Sequence, residues 1–374
     1  MSDEELPAPV ILGHPSERLV GRPGARSLRP RNGSLGGAYP TRGLLLEPGG
    51  DGPVFAGVPD DNRSVVLPGA TVAVGGHRYA VSVKGIGART PLYGVSPLDS
   101  MDFPTRLQTD ELWMGEAPYG AQGEIPVARG LEVTSLAKGC SLNGFFLCPL
   151  LEANAFPAGP ERPYWYRRYR GERFQEQRLV PSNIRLYHQS DMTLGQHPEA
   201  VLTAFGVDTA EATEAFLGSY LSSGIAALTL LARSLQETAS GLRGLDYADV
   251  WLDKDSLLAR DGTIHFADLE GLVWRPVARD SLEIALRDQF DRGYYEFLFG
   301  ADLLLRVAER RQGRSMGQGE RRRALATRFL AALAGDSFTR CEENAAGLDL
   351  VVRTMIPAGE TVLRLIDGGW SHTV

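Results

Sequence analysis

"RSVVLPGATVAVGGHRYAVSVKG", residues 63 to 85, decides how the first half of the chain is read. Val, Thr and Tyr recur through it, and it is interrupted at Pro68-Gly69 and again at Gly75-Gly76. β-Branched and aromatic side chains fit a pleated surface, and a Gly-Gly pair supplies the positive φ angles of a two-residue hairpin turn. The pattern predicts two antiparallel strands, the second ending on Lys84. Upstream, "RGLLLEP" and "GPVFAGVPDD" are short apolar runs closed by "PGG" and "PDDN". Residues 43–95 therefore read as an antiparallel sheet of short strands.

Working outward, residues 1–42 ("GRPGARSLRPRNGSLGG" among them) lack periodicity and read as a partly ordered N-terminal arm. Beyond the sheet come a loop with "PYGAQGEIP", a helix at about 127–138 closed by Gly139, and an apolar strand, "GFFLCPLLEA". These complete a β-rich lobe over 43–157. "PAGPERPYWYRRYRGERFQE", residues 157–176, reads as a solvated connector with its aromatics packed on one side. Apolar residues at three- and four-residue spacing predict helices over 199–240, in "DSLEIALRDQFDRGYYEFLFGADLLLRVAERR" and in "GERRRALATRFLAALAGD", with a β-like section at 249–275. The expectation is an α+β fold: a β-rich N-lobe joined to a mostly helical C-lobe, 158–374.

Composition bounds the partners. With 39 Lys and Arg against 46 Asp and Glu, the net charge of −7 argues against coating nucleic acid, which needs an excess of cations. The most apolar run, "GIAALTLLA" at 224–232, is far shorter than the roughly 20 residues that span a bilayer. An acidic "MSDEEL" start is unlike a signal peptide, so neither membrane nor secretion is expected and a cytoplasmic location is the default. Three cysteines without CxxC spacing and six histidines without HxH or HxxxH clusters leave a hard cation on carboxylates as the metal to expect.

Carboxylates of that kind occur in "DVWLDKDSLLARDGTIHFADLEG", residues 249–271. An apolar strand, a turn on Asp261-Gly262 and a second strand form a hairpin that delivers Asp255 and Asp268 to one end. Two carboxylates there suit Mg²⁺ shared with nucleotide phosphates, and an acidic surface hairpin is the plain alternative. The layout resembles the metal-binding segment of the protein-kinase-like superfamily, with Asp255 at the position of the metal-binding Asn and Asp268 at that of the metal-binding Asp. Upstream, Lys84 ends a strand and precedes Gly85 and Gly87, which permit close approach of backbone to ligand. Glu132 in the helix is the candidate ion-pair partner of Lys84.

"VSVKGIGARTP", the "YGAQGE" loop, the helix with Glu132 and "RLVPSNIR" together resemble the selenoprotein O family of protein AMPylators, over about residues 70–275. That resemblance implies ATP bound so that AMP is transferred to a protein hydroxyl, and the expected activity is AMP transfer to a protein or small-molecule nucleophile. It implies phosphate contacts from Lys84, Gly85, Gly87, Arg178 and Arg185, with Glu132 behind Lys84 and Mg²⁺ on Asp255 and Asp268. Planar guanidinium groups make the bidentate phosphate contacts such a clamp needs. Lys254 stands at the family's catalytic base position, leaving Asp253 or Asp249 as substitutes. Phosphoryl transfer, AMP-activated ligation and nucleotide binding without turnover are the alternatives on the same fold.

Overall fold

The structure, a computed structural model, describes residues 6–11, 15–31, 35, 39–48, 54–58, 61–85, 121–142, 145–156, 172–184, 198–239, 243–246, 256–267, 269, 273–276, 300–317, 320, 339–343, 350–356, 359–366 and 369–373. It is a mixed α+β protein with a large antiparallel sheet. The chain divides into two compact units, Met1–Leu142 with Leu147–Ile184, and Asn143–Phe146 with Arg185–Val374.

In the first unit the strands are β1 (Pro15–Pro23), β2 (Ser27–Leu28), β3 (Leu44–Pro48), β4 (Val54–Val58), β5 (Asp61–Val74), β6 (His77–Lys84) and β7 (Gln122–Gly123). Helix α1 (Glu124–Leu136) follows, then the short β8 (Ser141–Leu142), β10 (Leu150–Ala155) and β11 (Arg173–Val180); between β8 and β10 in the chain lies β9 (Phe145–Leu147), most of which belongs to the second unit, where it pairs with the hairpin strand Ile264–Phe266. The main sheet runs β2-β10-β11-β6-β5-β4-β1-β3, with β7 beside β11. Val74 opposes His77 across Gly75 and Gly76, whose φ angles are 59° and 83°, so the Gly-Gly pair forms the expected hairpin turn. The register of β5 on β6 shifts between Leu67 and Thr71, where Pro68 has no N–H to give the ladder.

Two expectations change here. The described residues within 1–42 are tied into the sheet: β1 pairs with both β3 and β4, β2 pairs with β10, and Val10 bridges Ser182. Their low apolar content did not matter because a strand recruited into a sheet is held by backbone pairing. Arg26 shows how the basic residues are accommodated, bonding Glu124 at 2.9 Å and Glu172, and standing 5.4 Å from the Phe174 ring centre. The stretch read as a connector likewise ends in β11, which lies between β10 and β6 within the sheet.

The two faces of this sheet differ. On one, Tyr39, Leu46, Val65, Leu67, Tyr79, Val81, Val83 and Leu179 form the larger core. There the segment from Thr41 through β3 is bound by side chains of β10 and β11. Gln175 pairs with both the N–H and the C=O of Leu46, at 2.8 and 2.9 Å, and Gln177 bonds Thr41 and the Leu44 carbonyl. On the other face α1 lays Val127 and Leu131 against Leu150, Ala153, Ala155 and Phe174. Thr134 Oγ1 accepts the Leu150 N–H at 3.0 Å and so ties the helix to β10.

The second unit opens with α2 (Pro198–Ala204) and α3 (Ala210–Ala239). Thr209 caps α3, its Oγ1 accepting the Ala212 N–H at 3.1 Å. Phe205, just after α2, and Phe216 of α3 are buried with ring centres 5.8 Å apart, and Tyr220 of α3 is buried as well. Next come β12 (Arg243–Asp246), ahead of the section read as β-like, and then β13 (Ser256–Leu258), β14 (Ile264–Phe266) and β15 (Val273–Pro276), which fall in or at the end of it. A further helix, α4, covers 300–311, and Ala301, Leu304, Leu305, Val307 and Ala308 are its buried stripe. Arg311 joins its end to the Val207 carbonyl and, at 2.7 Å, to Thr213 Oγ1.

The end of the chain departs from the expected helical lobe. β16 (Thr339–Glu343), β17 (Leu350–Ile356), β18 (Gly359–Ile366) and β19 (Gly369–Thr373) form a four-stranded antiparallel meander. The β-branched residues Val351, Val352, Thr354 and Ile356, and Thr361, Val362 and Ile366, are the local signal that favours strands there. Among the described residues no helix is long and apolar enough to cross a membrane.

Candidate functional site

Antiparallel register determines which side chains share a face. Lys84 opposes Glu176 and Ser82 opposes Arg178 across β6 and β11. Directly opposed residues point to the same side, and residues two apart on one strand do as well. Ser82, Lys84, Glu176 and Arg178 therefore form a polar quartet on one face, the face that carries α1 further along. All four are buried, at 3% to 6% exposure. Burying charge is costly without partners, so such a group on a sheet calls for explanation. Arg178 Nη2 donates to Glu176 Oε2 at 2.5 Å, a charge-assisted bond inside the sheet.

The end of β6 is closely packed. Gly85 adopts φ 98°, a conformation that a side chain would strain. A Cβ built there would lie 3.2 Å from Ala121 Cα and 3.4 Å from Gln175 Cα. The backbone after Lys84 thus touches Ala121 of the "YGAQGE" segment. Gln175 Nε2 also reaches the Gly85 carbonyl at 3.4 Å.

After Arg178 the chain turns at Pro181, and Pro181, Ser182, Asn183 and Ile184 are all buried. Ile184 N–H donates to Ser182 Oγ at 3.0 Å, a local turn that ends the strand. Arg178 is therefore a strand residue and not part of a helix.

Of the expected site residues, Lys84, Gly85 and Arg178 come together. Glu132 does not join them: it is exposed on α1, whose buried residues are Val127, Gly130, Leu131, Val133 and Thr134. The helix turns its apolar side to the sheet, which leaves Glu132 facing solvent. The carboxylate opposite Lys84 is Glu176, which the sequence reading did not single out. Its signal was the spacing Glu176-x-Arg178 in a strand whose neighbouring residues Gln175 and Gln177 are also polar. Gly87, Arg185, Asp249, Asp253, Lys254, Asp255 and Asp268 lie outside the described residues.

The hairpin next to those aspartates is described. Ser256 pairs with Phe266 and Leu258 with Ile264, joined through the Asp261-Gly262 turn. Asp261 Oδ1 accepts both the N–H, at 3.0 Å, and the hydroxyl, at 2.7 Å, of Thr263. Ser256 and Ala267, which adjoin Asp255 and Asp268 in the chain, stand at the same open end. The hairpin is fixed to α3, where Ser223 Oγ accepts the Ile264 N–H at 3.0 Å. His265 is buried, stacked 4.9 Å from Phe146 and bonded to Thr263 Oγ1 at 3.0 Å. Among the described residues no group of three or more His, Cys, Asp and Glu side chains comes together as a metal site.

No protein-family profile, curated protein or solved structure matches the chain.

Proposed function

We propose that the chain is an ATP- and Mg²⁺-dependent nucleotidyltransferase on a kinase-like two-lobed fold, transferring AMP to a protein or small-molecule hydroxyl. The observation that carries this reading is the meeting of Lys84 and Arg178, from distant segments, on one buried sheet face beside the Gly85 and Ala121 backbones. Two cations held on rigid strands beside a glycine-lined backbone suit the oxygens of a polyphosphate, since positioning and charge neutralisation supply most of the catalysis of such transfers.

Within this proposal Lys84 and Arg178 bind and orient the phosphates, with Arg185 as the second guanidinium. Asp255 and Asp268 hold Mg²⁺, which when bound neutralises phosphate charge. Asp253 or Asp249 accepts the proton of the attacking hydroxyl. The oxygen of the acceptor forms a bond to the α-phosphorus, the bond to the bridging oxygen breaks, and pyrophosphate leaves.

Incubating the full chain with candidate acceptors and ATP labelled at the α- or the γ-phosphate tests the proposal. Label transferred only from the α-position, and lost in Asp268→Ala, is expected. Transfer only from the γ-position makes the chain a kinase. Lys254 at the base position favours one further reading, a nucleotide-binding scaffold: saturable ATP binding with no transfer from either position would support it.

A further inference from the structure

We infer that Glu176 is the positioning carboxylate of the phosphate-binding face, holding the Arg178 guanidinium beside Lys84. This rests on the nucleotide-binding proposal above. β11 places Glu176 and Arg178 two residues apart on the same side of the sheet, and their side chains, 4% and 7% exposed, are joined at 2.5 Å. Lys84 stands directly across from Glu176, so its Cβ is about 4.5–5.5 Å away. Glu176 thus bonds one cation and stands opposite the residue that carries the other, and all three residues project from paired strands whose backbone cannot easily shift. A long arginine side chain has many rotamers, and fixing one end of its planar fork on a buried carboxylate selects among them. Glu132 cannot do this from the exposed side of α1.

A positioning residue acts through Arg178, so its loss should fall on the terminal phosphates and spare the nucleoside. The test titrates ATP and AMP, each with Mg²⁺, into the full-length wild type, Glu176→Gln, Glu176→Asp and Glu132→Gln, with melting temperatures measured in parallel. Glu176→Gln is expected to weaken ATP about ten- to a hundredfold, the size of a charged hydrogen bond, and AMP less than about twofold. Glu176→Asp keeps the charge but retracts it, and its ATP-to-AMP ratio is expected to lie between wild type and Gln. Should Glu176→Gln fail to fold, Glu176→Asp decides by the same ratio. A lowered melting temperature with an unchanged ATP-to-AMP ratio would reduce Glu176 to a structural role and overturn the inference. A ratio changed by Glu132→Gln and not by either Glu176 variant would overturn it as well. Lys84→Ala and Arg178→Ala separate this failure from a deeper one: if both bind ATP as wild type does, the nucleotide site itself is misplaced.

Discussion

Replacing Glu152 by Gln tests how the back of the first unit's sheet is held. Glu152 is fully buried, and its Oε1 accepts from the Gly43 N–H at 2.5 Å and from Asn154 Nδ2 at 2.9 Å. Its Oε2 accepts from Arg29 Nε at 3.1 Å, and the Tyr39 hydroxyl lies beside the carboxylate. These partners are all donors, and a carboxylate can satisfy them because it only accepts. Glutamine keeps the shape but has a single acceptor oxygen, so whichever way the amide turns, its NH₂ faces an N–H. Losing charge-assisted bonds costs about 1.5–3 kcal/mol, and a buried donor left facing a donor about 1–3 more. At about 2–4 °C per kcal/mol for a unit of this size, a total of about 2.5–6 kcal/mol lowers its melting temperature by roughly 5–24 °C. The two compact units need not melt together, so hydrogen exchange at the Gly43 and Leu46 amides should be followed beside thermal unfolding of the full chain. Faster exchange at both amides is expected, because Glu152 and Gln175 hold the same segment. A Glu152→Gln protein that melts within about 1 °C of wild type, with Gly43 protection intact, would refute the idea that donor convergence on Glu152 secures this strap.

Further substitutions and a titration probe the rest. Gly262 sits at φ 90° with a built Cβ only 2.4 Å from the Phe216 carbonyl oxygen, a backbone atom of α3 that cannot rotate away. Gly262→Ala should therefore destabilise the second unit by about 2–5 kcal/mol in chemical denaturation, combining the left-handed strain with the clash. Gly85→Ala meets Ala121 Cα at 3.2 Å and should weaken ATP binding in a titration while shifting stability by about 1–2 kcal/mol. Burial pushes the Cys140 thiol up to about 12 from its ordinary 9.0, outweighing a hydrogen bond from Tyr79 that favours the thiolate. Between those values the unfolded chain releases this proton and the folded chain keeps it. The thiol's contribution is thus complete below pH 9.0 and is lost towards pH 12, at about 1.4 kcal/mol per pH unit. Tyr39, raised mainly by burial and then by Glu152, adds loss of the same sign. Denaturation midpoints measured from pH 8 to 10.5 should fall faster in wild type than in Cys140→Ala, and parallel curves would show the thiol to be uninvolved.

Local chemistry made the β5–β6 hairpin legible. Gly75-Gly76 set the turn, and alternating Tyr79, Val81 and Val83 supplied one buried face. The helix ending near Gly139 and the Asp261-Gly262 hairpin were legible for similar reasons: cap and turn residues act on their immediate neighbours. β1 and β11 were not. Neither has an apolar face of its own, since β11 buries Gln175, Glu176, Gln177 and Arg178 in succession. A strand of that kind forms only because β10 and β6 supply its backbone partners and because Leu46, Thr41 and Leu44 bond its glutamines. Those partners are far away in sequence, so no local window contains the reason for the strand.

The same distinction governs the candidate site. Lys84 could be placed at a strand end because the hairpin that carries it is local, and Arg178 could be singled out from the resemblance of "RLVPSNIR". The carboxylate opposite Lys84 could not be read that way, because which acid faces Lys84 depends on the register of β11 on β6. A shift of one residue would turn Gln177 toward Lys84 and remove Glu176 from the face. A helix acid such as Glu132 looked suitable by chemistry, yet on α1 the residues either side of it, Leu131 and Val133, are the ones that turn to the protein interior. Burying them sends Glu132 outward. The position of the counter-charge therefore follows from two packing decisions, the register of one strand and the rotation of one helix. This is why substitutions at Glu176 and Glu132 measure the site more directly than further substitution of the cations themselves.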